Sequence, residues 1–157
     1  MTARCLAWAA VGLLIGSVTA EAQETVRVTV PSTATFNVTN VTMTTEALPV
    51  RVSFDTLIVL PGRGLRVSVK ADSANFTRPV ASGLSIPATK VSWTASNASG
   101  GTGAGGSLNS SSYTTMFEGT AGQLWGGVDL AWKLAAPGGG IRSGSHSLVV
   151  RYKLEAH

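Results

Sequence analysis

The sequence predicts an all-β fold. The expected architecture is an antiparallel two-sheet sandwich, Ig-like or jelly-roll-like, of about seven to nine strands after an N-terminal signal peptide. Three observations predict it. Apolar and polar residues alternate with period two in one segment after another. Ser and Thr supply 32 of the 135 residues from Gln23 onward, and Val supplies 15 more; β-branched side chains suit a pleated, half-buried surface. Gly and Pro interrupt the chain at short intervals, with 18 Gly and 6 Pro in 157 residues, which leaves little room for helices.

The first segment stands outside this pattern. Met1-Thr2-Ala3-Arg4 is a short positive start, Cys5–Val18 is apolar and uncharged, and Ala20-Glu21-Ala22 is a small-x-small cleavage triplet. That is the layout of a secretory signal peptide. Its apolar run is shorter than the ~20 residues of a membrane span. The expected organisation is therefore a leader over residues 1–22 and a single sandwich domain over 23–157, exported to the periplasm, the cell surface or the medium. No transmembrane segment is expected in the mature chain. The one cysteine, Cys5, falls in the leader, so the exported chain is free of disulfides, thiol nucleophiles and Cys-based zinc sites.

The strands follow in order. Val26, Val28 and Val30 alternate with Arg27 and Thr29, and Phe36 and Val38 extend the pattern past Pro31. Val50, Val52 and Phe54 alternate with Arg51 and Ser53. Leu57–Leu60 is a continuous apolar run, as in a central strand buried on both faces. Leu65, Val67 and Val69 alternate with Arg66, Ser68 and Lys70; Val91 and Trp93 follow Pro87. Val128, Leu130, Trp132 and Leu134 alternate with Asp129, Ala131 and Lys133. Leu148, Val150, Tyr152 and Leu154 close the chain. Pro61–Gly64, Ser99–Ser107, Gly126-Gly127 and Pro137–Gly140 read as turns or loops.

Catalytic signals are weak. Gly101–Gly106 spells G-x-G-x-x-G, but that fingerprint holds a pyrophosphate at a helix N-terminus, and Ser107-Leu108-Asn109-Ser110 opens no helix; a hairpin loop is expected. Of the two histidines, His157 ends the chain and is expected to fray, and His146 has no evident partner. Asp55, Asp72 and Asp129 lie in separate segments. No nucleophile elbow and no calcium-loop spacing occur. The expectation is a non-catalytic protein with no cofactor and no metal.

Binding signals are more specific. Trp93 and Trp132 share the inward parity of their strands. Trp125 instead sits in Gly122–Gly127, a loop by composition, where an indole can stack on a sugar or anchor a partner. Arg51, Arg66, Lys70, Lys133, Arg151 and Lys153 fall on outward positions; with net charge +4, a positive face carrying Arg151 and Lys153 would favour anionic envelope glycans. Nucleic acid is not an expected partner, because no stacking groove assembles. Asn37, Asn40, Asn75, Asn97 and Asn109 each open an N-x-[ST] triplet, which points to surface loops and to glycosylation in a competent host.

The C-terminal third carries a resemblance. Val128–Leu134 contains Trp132-Lys133-Leu134, a W-x-L core, followed by Pro137, a Gly-rich turn, Gly144 fourteen residues from the end, and the alternating Leu148–Leu154. This layout resembles exported bacterial surface sandwiches, the chaperone–usher fimbrial pilins and the WxL-type wall-binding domains. It departs from the pilins in placing Tyr152 sixth from the end and in lacking a cysteine pair. The resemblance implies a secreted or cell-surface structural or adhesive protein, a fibre or coat subunit that associates with itself or with other surface proteins. It also implies an N-terminal strand, here Val26, Val28 and Val30, that either completes a neighbour's sheet or serves as the first strand of its own. The alternative reading is a carbohydrate- or cell-wall-binding module.

Overall fold

Alternating Val, Leu and Trp against Ser, Thr, Arg and Lys gives each strand one apolar face, and two such sheets bury those faces against each other. The structure is a computed structural model and describes residues 26–56 and 62–157. The leader over 1–22 and the run Leu57–Leu60 lie outside the described residues. Among the described residues the chain passes through β1 (Val26–Thr29), β2 (Thr45–Glu46), β3 (Val50–Thr56), β4 (Leu65–Ala71), β5 (Val91–Ser99), β6 (Gly101–Gly103), β7 (Gly106–Ser107), β8 (Thr114–Gly119), β9 (Trp125–Leu134) and β10 (Val150–Ala156). Seven of these are four residues or longer, and a single 3-10 turn, Ala88–Lys90, precedes β5. No described helix is long and apolar enough to cross a membrane.

Sheet A runs β1-β3-β9-β5-β7, and β2 lies beyond β3 along the same side of β9. Sheet B runs β10-β4-β8-β6. Every described pairing is antiparallel. The predicted antiparallel sandwich is therefore present. Its core holds Val52 and Phe54 of β3, Val128, Leu130, Trp132 and Leu134 of β9, and Val91 and Trp93 of β5. Facing them are Val67, Val69 and Ala71 of β4 and Met116 and Phe117 of β8. Each large side chain buried here contributes about 1.5–3 kcal/mol relative to leaving it in water. Two tilted ring pairs sit in the core: Trp93 and Trp132, cross-strand neighbours within sheet A, at 5.2 Å between centroids, and Phe54 and Phe117, which meet across the two sheets, at 5.6 Å.

Several expectations are corrected. Phe36 and Val38 form no strand; from Val30 to Thr44 the chain is irregular, and the half-buried Phe36 packs against the core. Asn40 makes a tight turn there, its Oδ1 accepting from the Thr42 N–H at 2.9 Å and hydroxyl at 2.7 Å. Gly101–Gly106 is not a hairpin loop. It is the crossing from β6 in sheet B to β7 in sheet A, and its glycines serve close packing. A Cβ at Gly106 would lie 2.7 Å from the Trp93 ring, and one at Gly101 would lie 2.3 Å from the Glu118 carbonyl. Trp93 pins the crossing by donating its indole N–H to the Ala104 carbonyl at 2.8 Å. The last strand begins at Val150 rather than Leu148. His157 does not fray: its backbone exchanges hydrogen bonds of 2.8 and 3.0 Å with Gly64, and its Nε2 lies 3.1 Å from Glu118.

One strand carries no alternation. In β8, Met116 and Phe117 are adjacent and both buried. The register with β4 shifts between Val67↔Phe117 and Ser68↔Thr115, so Met116 is the extra residue of a β-bulge, and the bulge turns both side chains inward. Ser68, buried on the other face, lies with its hydroxyl 3.4 Å from that of Thr115.

Candidate functional site

Directly opposed residues of antiparallel strands point to the same side, so the registers define the outer face of sheet A row by row. At one end Arg27, Asp55 and Trp125 stand abreast on β1, β3 and β9. The next row is Thr29, Ser53, Gly127 and Ser99. The third is Arg51, Asp129 and Ser96.

Trp125 is not in a loop; it is the first residue of β9. Gly126 and Gly127 mark close approach rather than a turn. A Cβ at Gly126 would meet the Ser99 carbonyl at 2.5 Å and the Phe54 ring at 2.6 Å, and one at Gly127 would meet the Val52 carbonyl at 2.5 Å. Gly100, at φ +65°, brings the end of β5 against the Trp125 carbonyl. Backbone on both sides thus fixes the strand that carries Trp125, while its side of the sheet stays open. Trp125 is 64% exposed, whereas Trp93 and Trp132 are 2% and 4% exposed.

The third row is a polar network. Arg51 Nη1 donates to Asp129 Oδ1 at 2.7 Å, Arg51 Nη2 to Ser99 Oγ at 3.2 Å, and Asn97 Nδ2 to Asp129 Oδ2 at 2.9 Å. Asn97 sits at φ +49° where β5 shifts register between Ser96 and Ser99. That irregularity aims the amide back across the sheet. The Asn97 and Arg51 hydrogen bonds hold the Asp129 carboxyl below the usual aspartate value. The result is a shallow face with an open indole at one end, small residues in the middle and fixed donors and acceptors ~13 Å away along the strand.

The basic residues do not form one positive face. Arg51 and Lys133 lie on sheet A, and Arg66, Lys70, Arg151 and Lys153 lie on sheet B. Five of the six are matched by acids: Arg51 with Asp129, Lys133 with Glu46 at 2.9 Å, Arg66 with Glu118 at 2.7 Å, Arg151 with Asp72, and Lys153 with Glu155 at 2.6 Å. Lys70 and Lys153 flank the Tyr113 ring at 5.1 and 5.7 Å. Acids on a neighbouring strand, on the same strand for Lys153, or just past a strand end for Arg151, offset most of the positive charge that the outward parity alone suggests.

Val26 and Val28 belong to β1, which pairs with β3 of the same chain over four residues; Val30 follows the strand. Val28 and Val30 pack against the core, and Val26 is 38% exposed at the sheet edge. His146 brings its Nε2 within 2.9 Å of the Arg142 carbonyl. Among the described residues no three His, Asp or Glu side chains gather as a metal site. A hollow of about 480 Å³ lies along residues 75–85, lined by Phe76, Pro79 and Val80 among others, and Arg78 there donates to the Gly83 carbonyl at 2.6 Å. Sequence reasoning found Trp125 and the outward parity of Arg51, but did not bring Arg27, Asp55 and Asn97 onto the same face. Their signal lay in strand register, which a single chain does not display.

Comparison with family models, with curated proteins and with solved structures returned no match.

Proposed function

We propose that this chain is an exported, non-catalytic adhesive module that makes its contact through the outer face of sheet A, with a saccharide of the cell envelope as the ligand class. One observation carries the reading: the exposed Trp125 on a rigid strand, in a fold whose other described tryptophans are buried. An open indole offers a large apolar face at little entropic cost, and the Arg51–Asp129–Asn97 network offers fixed hydrogen-bonding groups on the same face, ~13 Å along the strand. Export rests on the leader pattern of residues 1–22. The non-catalytic character rests on how the acids are engaged, with Asp72, Glu118 and Asp129 each held by an arginine.

The test is retention on a glycan array and on isolated envelope. Trp125→Ala should lower retention at least about tenfold, and Trp125→Phe should keep most of it. Equal retention of Trp125→Ala and the parent protein overturns the reading.

A second reading keeps the fibre subunit. It is supported by the position of β1, an edge strand of only four residues carrying Val26 and Val28. Such a strand is a candidate for exchange between neighbouring copies. Deleting Gln23–Val30 should then abolish assembly while leaving a folded monomer.

A further inference from the structure

We infer that two copies of this chain join along β10, edge to edge and antiparallel, with Leu154 on the two-fold axis. The inference stands apart from the saccharide reading and uses the other sheet.

β10 is the outermost strand of sheet B and, at seven residues, the longest free edge in the described fold. Gly64 and His157 exchange both backbone bonds, and Asp72 donates to the Val149 carbonyl. By the alternation of an antiparallel ladder, the odd-numbered residues of β10 bond to β4. The N–H and C=O groups of Val150, Tyr152, Leu154 and Ala156 therefore point away from the sheet. Leu154 is opposite the fully buried Val67 and shares its inward parity, yet it is 48% exposed. Among the described residues no strand covers that place.

The sequence of this edge is complementary to itself. With Leu154 opposite the Leu154 of a second copy, Lys153 falls opposite Glu155 and Glu155 opposite Lys153, and Tyr152 falls opposite Ala156. Both charged residues point outward, are about two-fifths or more exposed and pair with each other within the chain at 2.6 Å, so in this register the two ion pairs meet as four charges of alternating sign. Centring the pairing on Lys153 would oppose two lysines, and centring it on Tyr152 would oppose Arg151 to Lys153. Cross-strand pairs of like charge are unfavourable. The Leu154 register alone among these avoids such a pair in Lys153 and Glu155. A symmetric contact of this kind closes on itself as a dimer and gives a continuous eight-stranded sheet.

The experiment is sedimentation of the exported chain with single-cysteine cross-linking, which is clean because the sequence from Gln23 onward has no cysteine. The expected result is a concentration-dependent dimer. Opposed Cα atoms of a hydrogen-bonded pair are about 5.5 Å apart, within disulfide range, so Leu154→Cys should form a covalent dimer in oxidising buffer. Lys153→Glu should weaken association at least about tenfold, because two opposite-charge pairs become two like-charge pairs. The double swap Lys153→Glu with Glu155→Lys should restore it. A chain that stays monomeric up to its solubility limit and yields no Leu154→Cys cross-link overturns the inference. So does cross-linking by Tyr152→Cys in the absence of cross-linking by Leu154→Cys, which fixes another register. Open-ended polymers lost on Arg27→Glu overturn it too, in favour of head-to-tail contact through β1.

Discussion

Trp93 donates its indole N–H to the carbonyl of Ala104 at 2.8 Å, and this one bond ties the strand at the centre of the core to the crossing that closes one side of the sandwich. The crossing stays close because it is glycine. Gly106 faces the Trp93 ring, and a Cβ there would come within 2.7 Å of the ring and 2.9 Å of Thr114. Gly106→Ala should therefore destabilise the fold by about 1–3 kcal/mol, as overpacking does. Urea unfolding followed by tryptophan fluorescence checks this. Gly139→Ala, where nothing lies within 4 Å, should change little.

Acid should destabilise the protein through its surface carboxylates. Asp72, Glu118 and Asp129 are each held below their ordinary values, Asp72 and Glu118 by arginine hydrogen bonds and Asp129 by Asn97 and then Arg51. A carboxyl depressed in the folded state adds stability above its unfolded value, and that stability is lost as pH falls through the folded value. Denaturation midpoints should fall as pH drops below the carboxylate range. Asp129→Asn should flatten that slope. High salt should flatten it as well, since these pairs are exposed.

Alkali should act through Tyr152. Burial raises its phenol to about 12, so the folded chain holds a proton that the unfolded chain gives up near the ordinary tyrosine value. Stability is fully present below that ordinary value and is lost as pH rises from there through about 12. Tyr152→Phe should remove this alkaline loss while leaving stability near neutrality little changed. Denaturant midpoints along an alkaline series decide it.

Asn109 organises the turn before β8. Its Oδ1 accepts from the N–H groups of Ser111 at 3.1 Å and Ser112 at 2.7 Å. Asn109→Ala should cost about 1 kcal/mol, the usual net worth of such bonds, measured by thermal unfolding. Asn40 makes a similar turn with Thr42. At these two sites, an Asn followed two residues later by Ser or Thr closes an Asx turn.

Much of sheet A was legible because β3, β5 and β9 bury one face and alternate cleanly. Val52 and Phe54, Val91 and Trp93, and Val128, Leu130, Trp132 and Leu134 all point inward as parity requires. β4 read equally well. β8 was illegible because its bulge places Met116 and Phe117 on the same side and erases the period. The glycine runs misled in the opposite sense. At Gly101, Gly106, Gly126 and Gly127 the missing side chain serves contact with a neighbouring strand or ring, which composition cannot tell from a turn. Of the candidate site, Trp125 was visible as a residue type. Its row partners were not, because Arg27, Asp55 and Trp125 are far apart in the chain and meet only through the β1–β3 and β3–β9 registers.

The most direct measurement is chemical-shift mapping of the isotope-labelled protein during titration with an envelope saccharide that retains it. The largest shifts are expected at the Trp125 indole, at Asp55 and Arg27 in its row, and at Gly127 beside it, with the Asn97 side-chain amide following. Shifts gathered elsewhere, such as along the 75–85 hollow, with the Trp125 indole unmoved at saturation, would contradict the saccharide reading.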